Sequence, residues 1–178
     1  MEAAPECGHG CAIPDKRIEE DSMSGSEDEG VWQYCSNSAV RRAARQLGQL
    51  YDDAMGDSGL RGTQFSLLSQ IAQSGAPTQK ELAEAMVMDL SALGHTLKPL
   101  IRDGLVQLVP DDKDRRAKRV RLTEAGLARQ REMVVRWQDA QARFDKTFGK
   151  ERSEELRRTL AFIASKGFAK AFSGEDKG

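Results

Sequence analysis

Two groups of residues have the types and spacing to do chemistry, and both suit a polyanion better than a reaction. Ser91, His95, Lys98 and Arg102 recur at i, i+4, i+7 and i+11, which on a helix places them in one polar stripe. Leu93, Leu97, Leu100 and Ile101 fall on the other side, so this helix has a face to bury and a face to present. Ala92 and Gly94 flank the stripe and leave room for the helix to sit deep in a groove. A DNA major groove ~12 Å wide admits one helix, and these donor-bearing side chains reach base edges and phosphates. On the stripe alone, a solvated helix face is the plain alternative. The second group is the run Lys113-Asp-Arg-Arg-Ala-Lys-Arg-Val-Arg121, with six cations and one anion in nine residues. Such a density repels itself and folds most easily against a polyanion. Arginine at a hairpin tip enters a minor groove, where the potential is most negative.

The remaining reactive residues make a thinner case. Cys7, His9 and Cys11 offer two thiolates and an imidazole, but zinc wants four ligands, and incidental residues of a tail are the expectation. No metal and no cofactor is expected. His9 and His95 are the only histidines, and no Ser/His/Asp set, phosphate-cradling glycine loop or carboxylate pair accompanies them. The chain does not read as an enzyme.

The elements that must hold these residues follow from periodicity. Residues 1–30 carry nine acidic residues against Lys16 and Arg17, with no apolar period, and read as a disordered acidic tail. The remainder holds 25 basic and 19 acidic residues, so the overall charge of -1 conceals a basic body. From Ser36 or Ser38 a helix begins, with Ala39, Val40, Ala43, Ala44, Leu47, Leu50, Tyr51, Ala54 and Met55 on a wide stripe. A shorter helix over 63–74 follows, with Phe65, Leu68, Ile71 and Ala72 inward and Gly75 as its stop. Thr78-Gln-Lys-Glu81 is a capping box that opens a third helix. Asp89 or Ser91 caps the fourth, which carries the polar stripe and ends before Gly104. Two short helices joined by a brief turn make a helix-turn-helix.

The period then changes to two. Leu105–Val109 and Arg119–Leu122 read as strands around a turn at Pro110–Asp114, a hairpin with a basic tip. A hairpin directly after a helix-turn-helix is a winged helix. Thr123 caps a long helix to about Phe148, with Leu127, Val134, Trp137, Ala140, Gln141 and Phe144 on one stripe. A last helix is expected from about Lys150 to Phe172, with Leu156, Leu160, Ile163 and Phe168 inward. These long helices have more apolar surface than the small lobe covers, so a second copy of the chain is expected to supply the rest. The divisions are a tail at 1–30, a first dimerisation helix at 31–59, a winged helix-turn-helix lobe at 60–122, dimerisation helices at 123–172 and a short tail at 173–178. With no apolar run of ~18 residues, no membrane span is expected. No apolar signal segment and only three cysteines make a cytoplasmic protein the expectation.

Asp114-Arg115-Arg116 followed by Val120-Arg-Leu-Thr-Glu-Ala-Gly126 resembles the wing signature of the MarR family of regulators. Met88 through Val106 resembles its recognition helix and first wing strand, and Gln79-Lys-Glu-Leu-Ala83 its preceding helix. The resemblance extends over about residues 36–172. It implies a mainly α fold with a small β-wing, dimeric through an interleaved helical platform, with the fourth helix of each lobe in successive major grooves of a pseudo-palindrome. The implied DNA-contacting set is Gln79, Ser91, His95, Thr96, Lys98, Arg102, Asp114, Arg115, Arg116, Lys118 and Arg119, with Asp114 orienting Arg116. Pro99, inside the recognition helix, is read as a local bend. The resemblance further implies a repressor released by a small aromatic ligand near Tyr51, Phe65 and Leu68. The alternatives are an oxidant sensor acting through Cys35, or a winged helix that binds protein instead of DNA. Gly62 stands where the oxidant sensors carry a second tyrosine, which weighs against the first alternative.

Overall fold

The computed structural model describes residues 34–56, 59–114 and 116–174. The acidic tail, with Cys7, His9 and Cys11, lies outside the described residues, as does Arg115. The chain divides into a unit up to Arg41 and a second unit from Arg42 onward. Helix α1 (Ser36–Met55) begins in the first and continues into the second.

The second unit continues with α2 (Gly62–Ser74), α3 (Gln79–Ala85), α4 (Leu90–Arg102), β1 (Val106–Pro110), β2 (Lys118–Leu122), α5 (Glu124–Phe148), α6 (Lys150–Ile163) and α7 (Lys166–Ser173). Several starts have a local cause. The Thr78 hydroxyl accepts from Glu81 N–H at 3.1 Å while Glu81 accepts from Thr78 N–H at 2.7 Å, the reciprocal box that starts α3. Asp89, and not Ser91, caps α4 by accepting from Ala92 N–H at 2.7 Å. Helix α4 runs through Pro99 without ending. The two strands pair antiparallel from Val106 opposite Leu122 to Pro110 opposite Lys118, so Pro110 belongs to the strand and the turn begins at Asp111.

One core holds the lobe together. Phe65, Leu67, Leu68 and Ile71 of α2 meet Leu82 of α3, Leu93, Leu97 and Leu100 of α4, Val106, Val120 and Leu122 of the hairpin, and Met133 of α5. Three apolar assignments on α2 and α5 need correcting. Ala72 is exposed, and Leu67 is the buried residue instead, because α2 is covered on two sides. Leu127 and Trp137 of α5 are exposed, while Met133 is buried in the core of the lobe and Val134 packs against it.

The joint between hairpin and α5 is made of backbone. Thr123 donates its hydroxyl to Gly104 C=O at 2.6 Å, donates its N–H to Leu105 C=O at 3.1 Å, and accepts from Gly126 N–H at 3.0 Å. Gly126 lies so close that a Cβ there would stand 1.9 Å from the Leu105 carbonyl oxygen, so only glycine fits.

The expected single last helix is two. Helix α6 stops at Ala164, and Ser165 leaves helical geometry and caps α7 by accepting from Phe168 N–H at 3.1 Å. Serine favours a cap over a helix interior, and Gly167 just beyond it is a poor helix former. Leu160, Ile163, Phe162 and Phe172 remain exposed in the single chain, as do Val40 and Leu50 of α1 and Val135 of α5. Among the described residues no helix is long and apolar enough to cross a membrane.

Candidate nucleic-acid interface

Helix α4 buries Leu93, Leu97 and Leu100, and the period of the helix then turns Ser91, His95, Lys98 and Arg102 outward. All four are exposed. The Arg102 guanidinium is paired with its neighbour Asp103, Nε 2.8 Å from Oδ1 and Nη2 3.4 Å from Oδ2, and each partner stabilises the charged form of the other. Thr96 is half-buried at the margin, and its hydroxyl donates back to Ala92 C=O at 3.0 Å. Gln79, half-buried, is the first residue of α3.

The wing is more organised than a run of cations suggests. Asp111 is 5% exposed at the end of β1. Its Oδ1 accepts from Lys113 N–H and from Asp114 N–H, both at 2.8 Å, and its Oδ2 pairs with the Arg119 guanidinium. These two backbone donors first, and Arg119 after them, hold the Asp111 carboxyl below its ordinary range. Arg119 donates a second bond from Nη1 to Ala76 C=O at 2.8 Å, so one guanidinium ties the wing to the turn between α2 and α3. Val120 N–H donates to Pro77 C=O at 2.8 Å and completes that seam.

This changes two assignments. Arg119, expected as a phosphate contact, is committed to Asp111 and Ala76. Asp114, expected to grip the Arg116 guanidinium, accepts from Arg116 backbone N–H at 2.9 Å and so shapes the turn itself. Arg116, Lys113 and Lys118 are exposed at the tip and along β2. Sequence reading missed Asp111 altogether, because an aspartate in a Pro-Asp-Asp turn looks solvated until its cross-hairpin arginine is placed.

The expected effector residues divide. Tyr51 and Phe65 line one cleft of about 300 Å³ with Leu47, Met55, Thr63 and Trp137. Leu68 does not line it; it is fully buried in the core of the lobe. A second apolar cleft of about 330 Å³ lies on the other side of Tyr51, between α1 and α5, with Arg143 and Thr147 as its polar lining. The Tyr51 hydroxyl donates to Gln141 Oε1 at 2.9 Å, and Gln141 in turn donates to Asp145 at 2.9 Å. Partial burial, and then the Asp145 charge, push the Tyr51 hydroxyl pKa up. Cys35 is half-buried just before α1, and hydrogen bonds from the Ser38 hydroxyl and backbone hold its thiol below the ordinary value. At Gly62 a side chain would press on Met55 and on Asp52, whose carboxylate accepts Gly62 N–H at 2.6 Å.

A helix-turn-helix with a braced two-stranded wing defines a winged-helix protein, and comparison with known proteins gives the particular family. The MarR family model matches residues 60–118. A transcriptional regulator of M. tuberculosis, MosR, solved in complex with DNA, is 37% identical over 76% of this chain and 97% of its own, with a TM-score of 0.67. The transcriptional repressor NicR of Pseudomonas putida is 33% identical over 89 residues, half of this chain and 56% of that protein. MarR of E. coli complexed with operator DNA, at 22% identity and a TM-score of 0.68, shares the fold. The chain belongs to the MarR family.

Proposed function

We propose that the chain is a homodimeric, DNA-binding regulator of transcription, acting as a repressor that a small aromatic ligand releases. The observation that carries the DNA-binding part is the outward stripe of Ser91, His95, Lys98 and Arg102 on the second helix of a helix-turn-helix, with exposed Arg116 and Lys118 on the wing beside it. Base-edge contacts from α4 specify the sequence, and phosphate contacts from the wing position the lobe. The DNA complex of the 37% identical MosR supports this reading. Repression is supported by the match to NicR, a repressor by name.

The dimer is supported by the apolar residues of α1, α5, α6 and α7 that one chain leaves exposed. The ligand part rests on the cleft that holds Tyr51, Phe65 and Trp137 beside the lobe, aromatic-lined and large enough for a single ring.

The test is a selection from random duplexes followed by titration at several salt concentrations. The expected product is a pseudo-palindrome with half-sites ~10 bp apart, bound with a steep salt slope. Arg116→Ala should cost about 1–3 kcal/mol on that operator and leave dimerisation intact. A panel of aromatic acids should release the duplex. Binding that is indifferent to sequence and salt would favour the protein-binding alternative.

Cys35 favours a second reading, oxidant sensing, through the hydrogen bonds that stabilise its thiolate. Peroxide titration of wild type and Cys35→Ser decides it. Release of wild type alone at low peroxide would replace the ligand-sensor reading.

A further inference from the structure

The reading helix carries an apolar edge that the polar stripe does not explain. At 100° per residue, Leu90, Gly94 and Ile101 fall within about 40° of one another, between the buried face and the stripe of Ser91, His95, Lys98 and Arg102. Leu90, the first residue of α4, is 57% exposed, and Ile101 further along is 37% exposed. Just before the helix, Val87 is 68% exposed and holds φ at +52°, a conformation that costs a β-branched residue free energy.

Gly94 sharpens the point. In a helix interior glycine costs about 1 kcal/mol against alanine. A Cβ at Gly94 would meet nothing within 4 Å, so no contact among the described residues requires the glycine. What the glycine provides is bare backbone on the exposed side, where another surface can approach closely. Its neighbours call for a polyanion, since Lys98 and Arg102 lie on the same helix and Lys118 and Arg116 on the adjacent wing. The apolar group that a duplex offers in its major groove is the 5-methyl of thymine.

We propose that Leu90, beside the bare backbone at Gly94, reads thymine by packing on its 5-methyl group. Leu90 is then the apolar half of a readout whose polar half is Ser91 and His95. N-terminal residues of a recognition helix are those that reach base edges, and Leu90 is the first of them. The inference rests on the DNA-binding reading above and adds the base it recognises.

The test uses the full chain and the duplex obtained by selection. Each thymine is replaced in turn by deoxyuridine, which removes the methyl and leaves every hydrogen-bonding group. One thymine per half-site should then lose about 4-fold in wild-type affinity, and about 15-fold when both half-sites are changed. Leu90→Ala should bind the thymine and uracil duplexes alike, with its salt slope unchanged. Gly94→Ala should melt higher than wild type and bind the operator less tightly, a split that an internally required glycine would not give.

If wild type binds every uracil duplex as it binds the parent, or if Leu90→Ala keeps the discrimination, the thymine reading is overturned while DNA binding stands. If Gly94→Ala binds as tightly as wild type, the close approach is overturned. Absence of any sequence-selective duplex binding would overturn both readings together.

Discussion

Asp111 shows how much of a basic wing is decided by one acid. Its carboxylate closes the turn by accepting two backbone N–H groups and fixes Arg119, which reaches on to Ala76. Because the folded pKa is depressed, this contribution is fully present above the unfolded aspartate value of about 3.9 and is lost as pH falls through the lower folded value. Asp111→Asn should therefore be less stable than wild type at neutral pH, and the gap should close as pH drops below ~4. Denaturant midpoints between pH 3 and 7 measure it, and a gap that stays constant over that range would contradict the account. Arg119 and Lys118, neighbours on β2, should separate in the same way. Arg119→Ala should lower the melting temperature by several degrees, whereas Lys118→Ala should weaken binding to all duplexes equally and leave melting unchanged.

At the scale of elements, the joint between the wing and α5 sets the tightest constraint. The approach of Gly126 to the Leu105 carbonyl is backbone against backbone, and no rotamer change relieves it. Gly126→Ala should cost about 3 kcal/mol, the upper end for overpacking, which is a fall of roughly 10 °C in melting temperature. A variant melting within a degree or two of wild type would mean that the two backbones separate easily. The helix-turn-helix was legible because its signals are local. Thr78 and Glu81 announce the start of α3, and the 3.6-residue period of Leu93, Leu97 and Leu100 fixes which side of α4 faces out. Gly126 was not legible as a structural residue, since it depends on Leu105 across the hairpin, and at Asp111 the local turn bonds gave no sign of the cross-hairpin Arg119. The break at Ser165 was hidden by continuous apolar spacing on both sides of it. Leu68 was placed beside the ligand by the family resemblance alone, yet α2 buries it inside the lobe.

At the scale of the molecule, the apolar surfaces of α1, α6 and α7 are the quantity to explain. Exposed Leu50, Leu160, Phe162, Ile163 and Phe172 on one chain exceed the scattered apolar residues an ordinary surface carries. We expect the full chain to scatter light as a dimer at all concentrations where it is folded. Removal of residues 156–178 should abolish dimerisation or soluble folding. A well-folded monomer of the full chain would contradict the reading of these helices as a platform.

The Gly126 contact has a mechanical meaning as well. Helix α5 has 25 residues and extends about 37 Å, and its first turn is fused to the hairpin through Thr123, Leu105 and Gly126 with no flexible link. Wing and helix therefore move as one lever arm. A tilt of only ~5° about the far end of that arm carries the wing tip through about 3 Å. That displacement is as long as a hydrogen bond, so on the DNA-binding reading proposed above a modest change where α1 meets α5 is enough to take Arg116 and Lys118 out of register with a phosphate backbone.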